Sequence, residues 1–258
     1  MRQSVVSWKK DGAVGIIELA APKKNALTAD SLEDLERAFI EVDADDGVRV
    51  VLLAGKGGAF CSGMDIEWLR GGDSHGMIRA TVNVQRVFRY IESFRKPVVA
   101  EIRGPAIGGG LLLALVCDYR VAAADALLGL PEVKVGIPIF LAGAKILQRF
   151  LPLGKMKELL FWGDLFDGKE AEKLGLVNEC APEDQVREVA LGKARVLAES
   201  SPLALQLLKR GIGASYEMSQ QALLAMELDT LGFFWQSEDR KEGLSAFLEK
   251  RRAAFKGV

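Results

Sequence analysis

Two continuous apolar runs restrict the fold of this chain more than any other feature of its sequence. The runs are Val48–Ala54 and Pro97–Ile102, and each carries a single charged residue. Such runs are typical of strands that are covered on both faces, whereas half-exposed strands alternate apolar and polar residues. A helical pattern over about Ile78–Ser93 separates the two runs. Strand, helix and strand in this order predict parallel βαβ units with right-handed crossovers.

Further elements can be placed around these two strands. Thr28, or alternatively Ser31, is predicted to cap a helix whose apolar residues recur on one face. An N-terminal hairpin is predicted from Val5–Trp8 and Val14–Leu19, joined by the connection Lys9–Ala13. Additional predicted strands are Asp118–Ala124, Leu127–Leu130 and Leu176–Cys180.

The chain changes character after Pro182, where no further strand-like run occurs. Helical patterns follow at Val186–Ala198, Pro202–Ile212, Gln220–Phe234 and Glu238–Phe255. We therefore predict an α/β core over residues 1–199 and a helical C-terminal region over residues 200–258. The last helices carry more apolar residues than one α/β core needs, so this region is predicted to mediate oligomerisation.

Charge and cysteine content exclude several classes of function. The sequence has 34 basic and 35 acidic residues, so it lacks the broad positive potential that binds nucleic acid or anionic membranes. Three cysteines and one histidine, without a CxxC pair, argue against a disulfide framework and against a metal site. The N-terminal segment does not resemble a targeting peptide, and the longest apolar stretch, Ala106–Cys117, is shorter than the ~20 residues of a membrane span. We therefore expect a soluble, cytoplasmic protein.

Two glycine-containing turns follow predicted strands and lead into helices. The first is Gly57–Ile66 and the second is Arg103–Gly110. The first turn of a helix has backbone N–H groups without intrahelical acceptors, so two such turns brought together can bind an oxyanion. Close packing of helix against strand is the alternative explanation of the glycines. A dinucleotide site is disfavoured because the order G-x-x-x-G-G-G differs from G-x-G-x-x-G.

Five motifs resemble those of the enoyl-CoA hydratase/isomerase (crotonase) family in their order and spacing, over nearly the whole chain. They are Asn25-Ala26-Leu27, Gly58 through Asp65, Gly104 through Gly110 with Cys117-Asp118, Pro131-Glu132 with Gly136, and Glu242 through Phe247. The resemblance implies an α/β fold with a crotonase-like ββα spiral core and a C-terminal helical region. It also implies an acyl-CoA substrate, no cofactor other than the coenzyme A of that substrate, and a homotrimer or homohexamer.

The resemblance implies roles for individual residues. The backbone amides of Ser62 and Gly109 would hold the thioester oxygen, and Glu132 would move protons. Coenzyme A would lie against residues in or next to the first two motifs, namely Lys24, Ala26, Gly63, Met64, Asp65 and Ile66. The acyl pocket would be lined by Trp68, Leu112, Pro131, Phe140 and Leu141.

The carboxylates decide which reaction the resemblance favours. The family's hydratases place a second glutamate where this chain has Leu112, and a leucine cannot orient water or exchange a proton. A single glutamate, here Glu132, is the arrangement of the family's Δ3,Δ2-enoyl-CoA isomerases, so we expect a double-bond shift. The apolar residues on both sides of Glu132 predict a raised pKa for its carboxyl group.

Other interpretations stay open at this point. Hydration needs a second acid, for which Glu67 and Asp73 are the candidates, and decarboxylation or other thioester chemistry would use the same enolate site. A third possibility is a protein that binds acyl-CoA without catalysis, which would need neither a second acid nor an enolate site. Apart from the resemblance, Glu132 is explained as a surface residue at a turn. A nucleophile activated by His75, the one histidine of the chain, lacks an orienting partner in the sequence.

Overall fold

The computed structural model of the chain describes residues 2–258, within which the strands form two sheets. The larger sheet has the order β1-β2-β3-β4-β6-β9, and β1 is antiparallel to β2 while the other pairs are parallel. The smaller sheet has the order β5-β7-β8. The strands are β1 (Val6–Asp11), β2 (Val14–Leu19), β3 (Val50–Gly55), β4 (Val98–Ile102), β5 (Ala106–Ile107), β6 (Tyr119–Ala123), β7 (Leu128–Gly129), β8 (Leu165–Phe166) and β9 (Glu179–Ala181).

Helices connect the strands and make up the C-terminal part of the chain. In chain order they are α1 (Ala29–Ala44), α2 (Ile66–Gly71), α3 (Ser74–Glu92), α4 (Gly109–Leu115), α5 (Gly143–Leu147), α6 (Leu153–Trp162), α7 (Gly168–Lys173), α8 (Val186–Ala198), α9 (Pro202–Ser215), α10 (Gln220–Phe234) and α11 (Glu238–Glu249). Two shorter turns complete the elements: a left-handed turn at Pro22–Asn25 and a 3-10 turn at Pro131–Val135.

The two apolar runs form the centre of the larger sheet, as the sequence predicts. All residues of β4 and all but the last of β3 are buried. Because successive side chains of a strand point to opposite faces, the sheet is covered on both sides here. Helix α8 packs against β2, β3, β4 and β6, while α1 packs against β1 and β2. The prediction of an α/β fold with parallel βαβ connections is confirmed.

Local capping explains where α1 begins. The Thr28 hydroxyl accepts a hydrogen bond from Ser31 N at 3.2 Å, and the Ser31 hydroxyl accepts one from Thr28 N at 2.8 Å. This reciprocal arrangement is a capping box, so both predicted capping residues take part. The predicted apolar face of the helix is fully buried, at Leu32, Leu35, Phe39 and Val42.

Several predicted boundaries are wrong. The hairpin turn is shorter than predicted, because β1 continues to Asp11, which pairs with Val14. The last helix ends at Glu249 and not at Phe255, since Lys250 adopts a left-handed conformation with φ 54°. Helix α2 begins at Ile66, where the first glycine-containing turn was predicted to lead into a helix. Helices α5, α6 and α7 were not predicted; they have 5, 10 and 6 residues, and α6 alone completes more than two turns.

The tail after α11 folds back on its own helix. The Glu242 carboxylate accepts hydrogen bonds from Arg251 Nη1 at 2.6 Å and from Ala254 N at 2.7 Å. Phe255 lies over Gly243, where a Cβ would come within 3.2 Å of the ring. The Glu242-Gly243 motif therefore has a structural explanation.

The helical C-terminal region forms polar contacts with the core. Lys209 Nζ donates to Asp118 Oδ2 at 2.6 Å, and Arg49 Nη2 donates to Phe255 O at 2.6 Å. Helix α10 packs against α9 but has no buried residue, and Leu228 and Phe233 are 68% and 72% exposed. A helix with apolar residues all round is usually covered. The division at residue 199 stays a prediction.

Candidate active site

Three chain segments that follow strands run side by side and form the floor of the site. The first is residues 24–27, the second residues 61–66 and the third residues 106–107. Leu27 N donates to Gly63 O at 2.7 Å and Asp65 N donates to Leu27 O at 3.1 Å, which pairs the first segment with the second. Ile107 N donates to Cys61 O at 3.0 Å, which pairs the second segment with the third. The two glycine-containing turns predicted from the sequence therefore meet.

Glycine permits this close approach at two positions. A Cβ on Gly63 would lie 2.6 Å from Ile107 O and 3.2 Å from Gly109 N, and the residue has φ +88°. A Cβ on Gly110 would lie 2.1 Å from Cys61 O. Real Cβ atoms do not come so close, so larger residues would separate the two turns.

The structure changes the assignment of one backbone donor. Ser62 N donates to Lys24 O at 3.0 Å, so the amide predicted from the sequence is already bonded. Neither the Met64 amide nor the Gly109 amide donates to an acceptor within residues 2–258. Gly109 is the first residue of α4, where an N–H has no intrahelical partner. Met64 therefore replaces Ser62 beside Gly109 as the available donor.

Glu132 lies against the start of the same helix. It belongs to the 3-10 turn Pro131–Val135, and its Oε1 would be 2.6 Å from a Cβ on Gly108. Its other oxygen, Oε2, is buried and has no hydrogen-bond partner in the described chain. Burial raises the pKa of the Glu132 carboxyl group, with the backbone N–H of the residue itself acting in the opposite direction. An unpartnered carboxylate oxygen thus lies beside Gly108, the residue before Gly109.

The predicted coenzyme A residues divide into backbone and side-chain groups. The Asp65 carboxylate caps α2 by accepting from Glu67 N at 2.8 Å and Trp68 N at 3.1 Å. It also forms an ion pair with Lys23 at 2.8 Å, which lowers its pKa. Its side chain is thus committed to the fold. The remaining members lie on the paired segments 24–27 and 62–66: Lys24, Ala26, Gly63, Met64 and Ile66.

The two candidates for a second acid are engaged elsewhere. The Glu67 carboxylate accepts from Lys23 Nζ at 2.6 Å and is mostly exposed. Asp73 caps α3 by accepting from Gly76 N at 2.6 Å. His75, on the first turn of α3, is exposed. None of the three supplies a partner for Glu132.

The predicted acyl-pocket residues differ in their environment. Leu141 Cδ1 lies 3.7 Å from the position of a Cβ on Gly109, and Leu112 is fully buried in α4. Phe140 is 56% exposed, and Trp68 and Pro131 are half-buried. The structure thus brings Leu141 to the amide pair, while the pocket roles of the other residues stay predictions.

Comparison with known proteins identifies the family. The sequence profile of the family described as "Enoyl-CoA hydratase/isomerase" matches residues 9–258. The chain belongs to the enoyl-CoA hydratase/isomerase family. A protein of Bacillus subtilis described as "Probable enoyl-CoA hydratase" is 38% identical over 98% of this chain and 99% of the relative. The "Crotonyl-CoA hydratase" of Syntrophomonas wolfei is 34% identical over 96% of each chain.

Solved structures of the family have the same fold. The enoyl-CoA hydratase of Bacillus anthracis superposes with a TM-score of 0.93 at 32% identity, covering 98% of this chain and 100% of the other. The crotonase-like fold is therefore confirmed, and this member of the family is an acyl-CoA enzyme. Within residues 2–258, no helix has the length and apolar character needed to cross a bilayer.

Proposed function

We propose that this family member shifts a double bond in an unsaturated acyl-CoA, with Glu132 as the sole proton carrier. The observation that carries the proposal is the buried, unpartnered Glu132 Oε2 at Gly108, the residue that precedes the available Gly109 amide. Leu112 occupies the position of α4 where a second acid would be expected. One base and one oxyanion site are sufficient for isomerisation.

The chemistry follows from these groups. The ionised Glu132 carboxylate removes a proton from the acyl chain, and the electron pair of that C–H bond moves into the thioester to give a dienolate. The Met64 and Gly109 amides bind the thioester oxygen more strongly as its negative charge develops. The protonated Glu132 then returns the proton to a different carbon. A raised pKa brings this group closer to the range of an effective acid and base.

Hydration is the second candidate because the compared relatives are named hydratases. Addition of water across a double bond is served best by a second acid or base that orients the water. In this structure Glu67 and Asp73 are bound elsewhere and Leu112 is apolar. Decarboxylation of a malonyl-type thioester would pass through the same enolate, so the oxyanion site does not distinguish it.

Coenzyme A is proposed to follow the paired segments around Leu27 and Met64, with Lys24 and Ala26 on one side and Gly63 through Ile66 on the other. The acyl chain is proposed to extend past Leu141, toward Leu112, Pro131, Phe140 and Trp68. Exposure of Phe140 leaves it available to contact a ligand.

We further propose a cytoplasmic homotrimer or homohexamer. The exposed apolar residues of α10 support assembly, because an apolar surface of that extent is unusual in a monomer. Light scattering at micromolar concentration is expected to give three or six times the chain mass of 28.0 kDa. A mass equal to one chain would contradict this proposal.

The proposed reaction can be tested by incubating the protein with a panel of acyl-CoAs in deuterated water, followed by mass spectrometry. Deuterium exchange together with a shifted double bond identifies isomerisation. Addition of one water identifies hydration, and loss of carbon dioxide identifies decarboxylation. Glu132→Gln serves as the control, because it removes the base with little change in volume. Hydration of 2-enoyl-CoA as the dominant reaction would overturn the proposal.

A further inference from the structure

Three consecutive non-glycine residues adopt the left-handed conformation at the edge of the site. Lys23, Lys24 and Asn25 have φ values of 54°, 60° and 61°. This conformation is unfavourable by roughly 1–2 kcal/mol for residues with a Cβ, although Asn tolerates it better than most. Such a turn persists where surrounding contacts hold it.

Ser62 binds both lysine carbonyls of this turn. Its Oγ donates to Lys23 O at 2.7 Å, and its backbone N donates to Lys24 O at 3.0 Å. The residue predicted to bind substrate through its amide therefore uses that amide, and its hydroxyl, within the protein. One residue of the second segment thus fixes two peptide groups of the first.

Asn25 holds the other end of the turn. Its side chain is buried, and Nδ2 donates to Lys56 O and Ala59 O, each at 2.9 Å. Both acceptors lie in the turn after β3, so the carboxamide joins the left-handed turn to the loop that leads to Ser62. The carboxamide NH2 group supplies both donors, which the carboxylate of an aspartate could not do.

The locked turn controls the direction of the Met64 amide. Leu27, two residues after the turn, donates its N–H to Gly63 O at 2.7 Å. No cis peptide bond occurs in the described residues, and in a trans peptide the C=O and N–H groups point in opposite directions. Because Leu27 binds the Gly63 carbonyl, the Met64 N–H of the same peptide points away from Leu27, on the side where Gly63 approaches Gly109.

We propose that Ser62 and Asn25 are positioning residues of the oxyanion site. They hold the left-handed turn, the turn places Leu27 N–H, and Leu27 orients the Gly63–Met64 peptide so that the Met64 amide meets the thioester oxygen. This inference rests on the proposed function of the Met64 and Gly109 amides. The Ser62 hydroxyl and the Asn25 carboxamide then stabilise the transition state indirectly, by positioning the Met64 amide, and do not contact the substrate.

Two substitutions test the inference without forcing a new backbone conformation. Ser62→Ala removes the hydroxyl but keeps the amide, and Asn25→Gly removes the carboxamide but accepts the left-handed conformation. We expect kcat to fall about tenfold in each, part of the ~10²–10³ lost when an oxyanion donor is deleted, with little change in KM. Ser215→Ala is the matched control, because its Oγ also donates to a carbonyl, Ile212 O, at 2.7 Å.

The infrared stretch of a bound thioester separates positioning from general damage. With carbon-13 butyryl-CoA as the probe, the wild-type protein and Glu132→Gln are expected to lower the carbonyl frequency, and Ser62→Ala and Asn25→Gly to lower it less. If the wild type does not lower it, the proposed oxyanion site fails. If the wild type lowers it and both variants do so equally, or if the variants change KM alone, the positioning inference is overturned.

Discussion

Two glutamates with buried carboxylate oxygens show how a carboxylate held by a partner differs from one that is proposed to react. Glu101, in β4, is 2% exposed and accepts a hydrogen bond from Arg187 Nη1 at 2.6 Å. Glu132 is half-buried against Gly108, and its buried Oε2 has no partner in the described chain. Burial raises the pKa of both carboxyl groups, against the effect of Arg187 in the first case. The pKa direction alone therefore does not identify the reactive group.

The partner distinguishes the two glutamates. Arg187 also donates to Glu18 at 2.8 Å, so one guanidinium from α8 ties the ends of two strands to the helix that covers them. A buried carboxylate with such a donor is satisfied, and breaking the pair leaves a buried charge. A buried carboxylate without a donor is available to a ligand, and it destabilises the protein that contains it.

The largest expected effect is on turnover in Glu132→Gln. The substitution removes the base and preserves the volume, so kcat is expected to fall by about 10²–10⁴, the range for a general base. Binding of acyl-CoA, measured by calorimetry, is expected to change little. The matched variant Glu101→Gln should retain activity. Substantial turnover in Glu132→Gln would show that another group carries the proton.

The next effect is on stability, in Arg187→Met. Loss of the Arg187 guanidinium removes the hydrogen-bonded counter-charge of buried Glu101, which is expected to lower the free energy of unfolding by about 3–5 kcal/mol. Arg195→Met is the control, since Arg195 lies on the same helix and pairs with Asp11 at 2.8 Å, but both side chains are largely exposed. The control is expected to lose less than about 1 kcal/mol. Equal losses in chemical denaturation would show that the Glu101 pair is not a stabilising feature.

Much of the fold, but less of the site, was predictable from the sequence. The buried strands β3 and β4 and the capping box of α1 depend on residues close together in the chain, so local patterns revealed them. Local patterns did not reveal which amide is available, because the Ser62 N–H is bonded to the Lys24 carbonyl, which lies on a different segment. The amino-acid sequence identifies the side chains but does not show which backbone N–H groups are hydrogen-bonded. The left-handed Asn25 was not predicted for the same reason, although Asn is the residue type that best tolerates this conformation after glycine.

A smaller effect is expected in the pH dependence of stability. Because the pKa of folded Glu132 is raised above the ordinary value of 4.5, the folded chain retains a proton that the unfolded chain releases. The contribution of Glu132 to stability is then complete below the unfolded pKa and is lost as the pH rises through the folded pKa. Glu132→Gln does not titrate, so its stability relative to wild type is expected to increase over this range. Glu33→Gln, on the exposed side of α1, controls for the loss of a charge. A constant difference between Glu132→Gln and wild type would contradict the raised pKa.

The smallest expected effect is a gain of hydration in Leu112→Glu. Leu112 N donates to Gly108 O at 3.1 Å, so residue 112 lies one helical turn beyond the glycine against which Glu132 packs. A glutamate here would place a second carboxyl group near Glu132, and repulsion between the two would raise the pKa of one of them. This arrangement resembles an acid and base pair around one water, so slow hydration of crotonyl-CoA is expected where the wild type shows little.

Leu112→Gln is the matched control for this gain, because it introduces a polar group of the same size without the charge. The space is restricted, since Leu112 Cδ1 lies 3.3 Å from the position of a Cβ on Gly143, so partial destabilisation is expected in both variants. Hydration in Leu112→Glu but not in Leu112→Gln would show that the absence of a second carboxylate limits the wild type. Hydration by the unmodified protein with kcat/KM of about 10⁴ M⁻¹s⁻¹ or more, the lower end for a competent enzyme, would contradict this explanation. A further residue would then have to activate water together with Glu132, and the contrast between Glu101 and Glu132 would not be sufficient to explain the reaction.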